Sequence, residues 1–216
     1  MARPRAADFE DKQRAILSSA AQVLAEQGMD KASMAQIAAQ AGVSKALLYH
    51  YYPGKDALIF DIIRTHLSEL ESTVAATDDP ALAPRARLRA LVGAVIENYR
   101  DADNYHKVQL NGTPTLPDDQ RSQIHAIERQ IVRHFSRVIR LVRPELDAAL
   151  VMPVTMSVFG MMNWVYMWFK DGGPVSRADY AELATTLVLD GIGAVGTAPG
   201  PRSATPGQPV GQPRQP

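Results

Sequence analysis

The chain has 216 residues and a formal net charge of zero, a length that buries a sizeable core in one large or two small domains. It contains no cysteine, which excludes a disulfide framework, a thiolate metal site and a thiol nucleophile, and suits a reducing cytoplasm. Balanced charge confines any affinity for nucleic acid to a local patch, and the amino end, "MARPRAADFE", lacks the apolar stretch of a signal peptide.

Strand-type alternation is nearly missing, and a period near 3.6 recurs along most of the chain. After a short basic arm with Arg3 and Arg5, a stripe of Ile16, Ala20, Val23, Leu24 and Gln27 predicts a helix closed by Gly28. Ser33 is placed to cap a second helix, with Ile37, Ala38 and Ala41 facing inward and Gly42 at the turn. Ser44 caps a third, reaching about Tyr52, and "YPGK" then stops the helix and restarts a long one from Lys55 to near Thr77. Beyond "DDPALAP", helices are expected over 84–101, 104–111, 117–142, 144–170 and 176–195, with Pro144 in a first helical turn and Pro153 bending its helix.

From Ala148 to Phe169 no charge interrupts 22 residues, long enough for a membrane span. Pro153, Thr155, Ser157, Gly160 and Asn163 within it favour a buried core or interface helix instead. The last 20 residues hold nine Pro or Gly and little that is apolar, so residues 197–216 read as a disordered tail.

Catalytic signatures are weak. "GIGAVG" at Gly191 to Gly196 has dinucleotide-binding spacing, but it follows a helix rather than a strand and reads as a fraying helix end. The five histidines have no zinc spacing, no G-x-S-x-G elbow occurs, and the carboxylates interleave with Arg and Lys on helix faces. No catalytic residue, metal site or cofactor is predicted.

One short segment carries more. In a helix beginning after Ser44, Leu48 and Tyr52 share a face with Val43 and belong to the core, so Lys45, Tyr49, His50 and Tyr51 must project from the other side. Such an edge offers phosphate donors and rings able to contact thymine methyls. Ser33, Ser44 and Lys55 fall at helix starts, where free amides attract phosphate, and no acid occurs between Lys31 and Lys55. Two short helices joined by "AGVS" predict a helix-turn-helix, whose second helix enters the major groove.

The residues "ILSSAAQVLAEQGMDKASMAQIAAQAGVSKALLYHYYPGKDALIFDII", Ile16 to Ile63, resemble the TetR/AcrR family of bacterial transcriptional regulators. The resemblance implies an all-α fold of about nine helices, with a DNA-binding helix-turn-helix domain over 1–54 and a ligand-binding and dimerisation domain over 55–196. It implies a cytoplasmic homodimer on a palindromic double-stranded DNA operator, most simply a repressor, released by a small hydrophobic or acyl-CoA-type effector. By position, Lys45 and Ala46 would meet base edges and Tyr49 bases or backbone; His50, Tyr51 and Lys55 would hold phosphates, with Ala35 and Gln36 at the groove and Arg3 and Arg5 near a minor groove. Leu47 departs from the Ser or Thr frequent there, and Ala35 offers no bidentate base contact. Within the apolar helix, Met152, Met156, Phe159, Asn163 and Tyr166 fall near one face and, with Tyr99 and His106, form the expected ligand pocket. Val154, Val158, Met161, Val165 and Trp168 form the face expected toward a partner, Arg133, Arg137 and Arg140 offer a basic mouth, and "NWVYMWFKDGGPVS" loosely resembles family members that respond to acyl-CoA thioesters. The rival reading is a helical carrier of lipid or hydrophobic ligands, or an unrecognised helical enzyme, with the tyrosines in its core.

Overall fold

A computed structural model describes the backbone of residues 3–100 and 102–196, and the side chains of residue 9 and of residues 11–100 and 102–196. The expected roles of Arg3 and Arg5 and the tail at 197–216 lie outside these residues. Ten α-helices and two short 3-10 turns make up the described fold, and no strand occurs among the described residues. Helix α1 spans Arg3–Gln27, α2 Met34–Gln40, α3 Lys45–Tyr51, α4 Lys55–Thr77 and α5 Pro84–Asn98; α6 spans Asp103–Gly112, α7 Asp118–Val142, α8 Ala148–Asn163, α9 Val165–Trp168 and α10 Arg177–Gly191. Counting the four-residue α9 as the end of α8 gives the nine expected.

The early boundaries follow their capping chemistry. Gly28 takes φ +87° and its N–H bonds to the Leu24 carbonyl, a left-handed closure that glycine adopts without strain. Gln27 is exposed rather than part of the inward stripe, because that stripe already ends at Leu24. Ser33 and Gln36 form a reciprocal capping box at α2, and the Ser44 hydroxyl accepts from the Leu47 amide at α3. Gly42, at φ +64°, makes the turn between them.

Two later boundaries differ from expectation. Pro144 sits in a turn before α8, not in its first helical turn; Asp147, whose carboxylate accepts from the Ala149 amide, provides the start instead. The apolar helix also breaks at Trp164, leaving α9 as a separate single turn. By length and composition 148–168 could cross a membrane, yet Val151, Thr155, Val158, Phe159, Met162 and Val165 are buried within the fold. Val158 and Val165 therefore cannot face a partner as expected. Outward apolar side chains remain at Trp164, Met167 and Trp168, with Leu183 and Leu187 of α10 also exposed.

Helix α4 is the central element. It packs against α1, α5, α6 and α7, and one continuous core runs from Ile16 to Ile192 through its Leu58, Ile59, Ile62, Ile63, Leu67, Leu70 and Val74. Gly112 at the end of α6 lets that helix approach closely: a Cβ there would lie 2.8 Å from Ile59 Cγ2 and 3.3 Å from Ile63 Cδ1. At the far end of α4, the buried Asp78 carboxylate bonds Arg87 of α5 and lies 2.5 Å from His134 Nδ1 of α7. Burial works to raise the Asp78 pKa, but the hydrogen bonds from Arg87 and His134 prevail and hold it below the usual carboxylate value.

Candidate functional site

Helix α3 is only seven residues long, and its two sides differ sharply. Leu48 is fully buried and Tyr52, its C-cap, is 5% exposed, whereas Tyr49 is 51% exposed. Lys45 and His50 are exposed with Tyr49, as predicted, and so is Ala46, whereas Val43, expected in the core, is only half-buried. Tyr51 is intermediate, because its ring stacks on Phe9 of α1 at 4.7 Å between centroids. It braces α3 against α1 while keeping an accessible edge.

The Tyr52 hydroxyl anchors this inner face. It donates to Asp61 Oδ2 of α4 at 2.7 Å and accepts from Gln13 Nε2 of α1 at 3.2 Å; Gln13 also donates to Asp61, and Arg64 pairs with the same carboxylate. Burial, with the Asp61 hydrogen bond second, pushes the Tyr52 phenol well above its ordinary pKa, so it remains a donor. Three helices thus meet at one buried, satisfied polar node.

Lys55 is placed differently from the sequence expectation. Its ammonium donates to the carbonyl of Met29, and to those of Ala32 at 3.2 Å and Asp30 at 3.4 Å, closing the α1–α2 connection onto the start of α4. A side chain committed to three carbonyls is a structural clamp and has little left to offer a phosphate. The first amides of α4, whose N-cap Gly54 supplies no side-chain bond, are the groups at that position able to meet an anion. Gln36 is likewise engaged: its Oε1 accepts from the Ser33 amide at 2.9 Å and hydroxyl at 2.8 Å, so only its amide nitrogen can reach outward. Ser33 and Ser44 are exposed caps, and Ala35 is half-buried.

A second feature lies between α4, α6, α7 and α8. An open cavity of about 420 Å³ is lined by Leu67 and Leu70 of α4, Tyr99 after α5, Gln109 of α6, a run of α7 residues from His125 to Val132, and Met152, Met156, Phe159 and Asn163 of α8. Five of the seven residues expected there are therefore brought together. Met152 and Met156 are half exposed at the mouth, and Phe159 packs on Phe135 behind the wall. The Tyr99 hydroxyl donates to Asn163 Oδ1 at 2.9 Å, giving the amide of that apolar helix its partner.

His106 and Tyr166 are not in the lining. His106 lies buried behind Tyr99, 5.1 Å between centroids, and Tyr166 stands at 5.1 Å on its other side because the break at Trp164 turns α9 away from the α8 face. His66 of α4 joins the cluster at 6.2 Å from Tyr99 and 5.8 Å from Tyr105. Burial, assisted by the nearby His106, depresses His66 to about 4, and burial also lowers His106 despite an opposing contribution from the Asn163 main chain. Both rings act as neutral packing near pH 7.

The α7 wall has no counterpart among the residues expected from sequence. Glu128 accepts from Gln109 Nε2 at 3.0 Å and lies 2.8 Å from His125 Nδ1, a polar group on the lining in addition to Tyr99, Asn163 and Arg129. Its signal in sequence, a Glu three residues after a His, is indistinguishable from an ordinary solvated helix pair. No cluster suited to a metal ion occurs among the described residues.

Comparison with known proteins places this architecture. Residues 16–62 match the profile described as "Bacterial regulatory proteins, tetR family", and residues 81–192 match "Tetracyclin repressor-like, C-terminal domain". A TetR-family transcriptional regulator from Bordetella parapertussis 12822 is similar in structure, with TM-score 0.78 and 31% identity over 86% of this chain and 98% of that one. AibR, solved in complex with isovaleryl coenzyme A and operator DNA, is similar with TM-score 0.72 and 26% identity over 82% and 97%. The transcriptional repressor KstR2 of Mycolicibacterium smegmatis is 27% identical over 82% of this chain and 88% of its own. Similarity to the regulator BetI of Rhizobium meliloti, 36% identical, is confined to 81 residues, so the chain spans about 40% of that relative's length. With both profiles matched in order on a helix-turn-helix and a helical partner domain, the chain belongs to the TetR family of bacterial transcriptional regulators.

Proposed function

We propose that the protein is a cytoplasmic, dimeric repressor that binds a palindromic operator through α3 and leaves it when a small hydrophobic or acyl-CoA-type effector fills the cavity. Residues 1–54 serve as the reading head, and residues 55–196 as the effector and dimer domain. The observation that carries the reading is the two-sidedness of α3: Leu48 and Tyr52 fix it from within while Lys45, Ala46, Tyr49 and His50 stand outward. Lys45 and Ala46, at the helix start, meet base edges; Tyr49 contacts bases or backbone; His50 and the Tyr51 edge contact phosphate. The outward apolar side chains of Trp164, α9 and α10 suit burial against a second copy, which sets two reading heads about one duplex turn apart.

Release depends on the groups that line the cavity. Its floor is α4 itself, through Leu67 and Leu70, and its polar end is the Tyr99–Asn163 hydrogen bond. An effector carbonyl that takes the Tyr99 hydroxyl from Asn163 frees that ring, which is packed beside His66 of α4. Displacement of α4 reaches the reading head through two ties, Lys55 to the α1–α2 carbonyls and Asp61 to Tyr52 and Gln13. The effector acts only by its preference for the displaced arrangement; equal affinity for both would change nothing.

The test is a selection of duplex DNA from a random pool, followed by titration of the selected site with Tyr99→Phe and wild-type protein in the presence of candidate effectors. Palindromic sites bound by both proteins, with release impaired in Tyr99→Phe, support the reading. Failure to select any duplex, with no retention on heparin at moderate salt, favours the carrier reading instead.

A further inference from the structure

A second cavity, of about 220 Å³, opens between α1, α4 and the start of α6, and its lining shares no residue with the first. Leu17 of α1, His66 of α4 and Tyr105 of α6 form its apolar part, the two rings lying 5.8 Å apart between centroids and 28° from parallel. His66 is 4% exposed, and its Nε2 has no hydrogen-bond partner among the described residues. The same ring lies 6.2 Å from that of Tyr99, which lines the first cavity, so the two linings meet at this pair of rings.

The rim of this chamber is charged, and its charges are unequally matched. Arg14 of α1 pairs with Asp11 at 3.3 Å, and Arg100 holds Glu97 through two bonds of 2.6 and 2.8 Å. Glu69 of α4 is the one carboxylate among the described lining residues, and its oxygens make no hydrogen bond or ion pair among the described residues. It stands close enough to Tyr105 to act on the phenol, whose pKa is raised by burial first and by the Glu69 charge in smaller part, against a hydrogen bond from Ser18. An unanswered negative charge at the lip of an aromatic-walled chamber favours a cation, which the face of Tyr105 attracts as well. The volume is below the roughly 300–1,000 Å³ of cavities that hold drug-sized molecules, and suits a single ring.

We propose that this chamber is a second ligand site, separate from the effector cavity, that takes a small arylalkyl ammonium ion with its ring against Leu17 and Tyr105 and its charge on Glu69. The occupant touches α1 of the helix-turn-helix domain and α4 and α6 of the larger domain at once, and so holds these helices in the arrangement seen here. Where an effector acts by displacing α4, an amine bound in this chamber opposes it, since each ligand weakens the other by the same factor. That consequence rests on the functional reading above; the site itself does not.

The experiment titrates benzylamine, benzyl alcohol and benzoate, three rings of similar size and different charge, into the full chain near neutral pH without DNA, read by saturation-transfer NMR of the ligand signals. Wild type is compared with Glu69→Gln, at an exposed position, and with Glu128→Gln, which removes the carboxylate of the first cavity. The site predicts that benzylamine binds more tightly than the other two compounds. It predicts a loss of about 3- to 5-fold for benzylamine alone in Glu69→Gln, and none in Glu128→Gln. Benzoate or benzyl alcohol binding as tightly as benzylamine in wild type overturns the proposal, as does the absence of benzylamine binding. An unchanged affinity in Glu69→Gln overturns it too, and a loss in Glu128→Gln does so by placing the amine in the effector cavity. No arm involves DNA or an effector, so failure here is distinct from failure of the operator reading.

Discussion

Replacing Lys55 by Ala separates two roles that one residue could play at the edge of the reading head. If its ammonium binds a DNA phosphate, the free protein is unaffected. In the structure it instead clamps the Met29, Asp30 and Ala32 carbonyls onto the start of α4. A hydrogen bond from a charged donor contributes about 1.5–3 kcal/mol. Rehydration of these partly exposed carbonyls offsets much of three such bonds, so the expected destabilisation is about 2 kcal/mol, the value of one. For a chain of this size that lowers Tm by roughly 4–8 °C. The assay pairs thermal unfolding of the free protein with the salt dependence of binding to a selected operator. The clamp predicts a lower Tm and weaker binding with an unchanged salt slope. A lost phosphate contact also weakens binding but leaves Tm unchanged, the slope of log K against log salt becoming shallower by about 0.9 for each phosphate given up. An unchanged Tm together with a shallower slope would refute the clamp.

Tyr52→Phe removes the hydroxyl bonded to the buried Asp61 and should cost about 1–3 kcal/mol in denaturant unfolding while leaving the outward edge of α3 in place. Gly112→Ala forces a Cβ to within 2.8 Å of Ile59 and should cost about 1–3 kcal/mol by overpacking the α4–α6 contact; unchanged stability would show that the two helices separate freely. His66, depressed to about 4 by burial, stays neutral in the folded state where the unfolded chain takes up a proton near 6.5. Its contribution to stability is therefore intact above about 6.5 and declines as pH falls toward 4, below which it is constant. His66→Phe, which keeps the ring packing, should flatten that part of the stability–pH curve by up to one proton; an unaltered slope would mean that the ring is not buried neutral.

Much of the fold is legible in the sequence because its determinants are local. Ser33 and Ser44 as caps, Gly28 and Gly42 as left-handed turns, and the division of α3 between Leu48 and Tyr49 each depend on a few adjacent residues. The role of Lys55 is not legible, because its partners lie 23 to 26 positions earlier and no spacing rule reports which carbonyls a folded turn will gather. Tyr166 departs from its expected place because periodicity assumes an unbroken helix, and the interruption at Trp164 redirects the turn that carries it. The Gln109–Glu128–His125 wall escapes sequence reasoning for a further reason: polar residues on an amphipathic helix look like an ordinary solvated pair, and only the fold brings Gln109 of α6 onto Glu128. Helix-face arithmetic on α8 still gathers Met152, Met156, Phe159 and Asn163 correctly, since they lie before the break.

Selection from random-sequence duplex, followed by footprinting of Lys45→Ala and Tyr49→Ala against wild type, tests whether the outward edge of α3 reads DNA. Neither side chain supports the core, so both variants should melt within about 0.5 kcal/mol of wild type. Two protected half-sites centred about 10 base pairs apart are expected in wild type, with protection lost in the variants at unchanged helicity. Protection that persists undiminished in both variants would contradict a reading role for that edge.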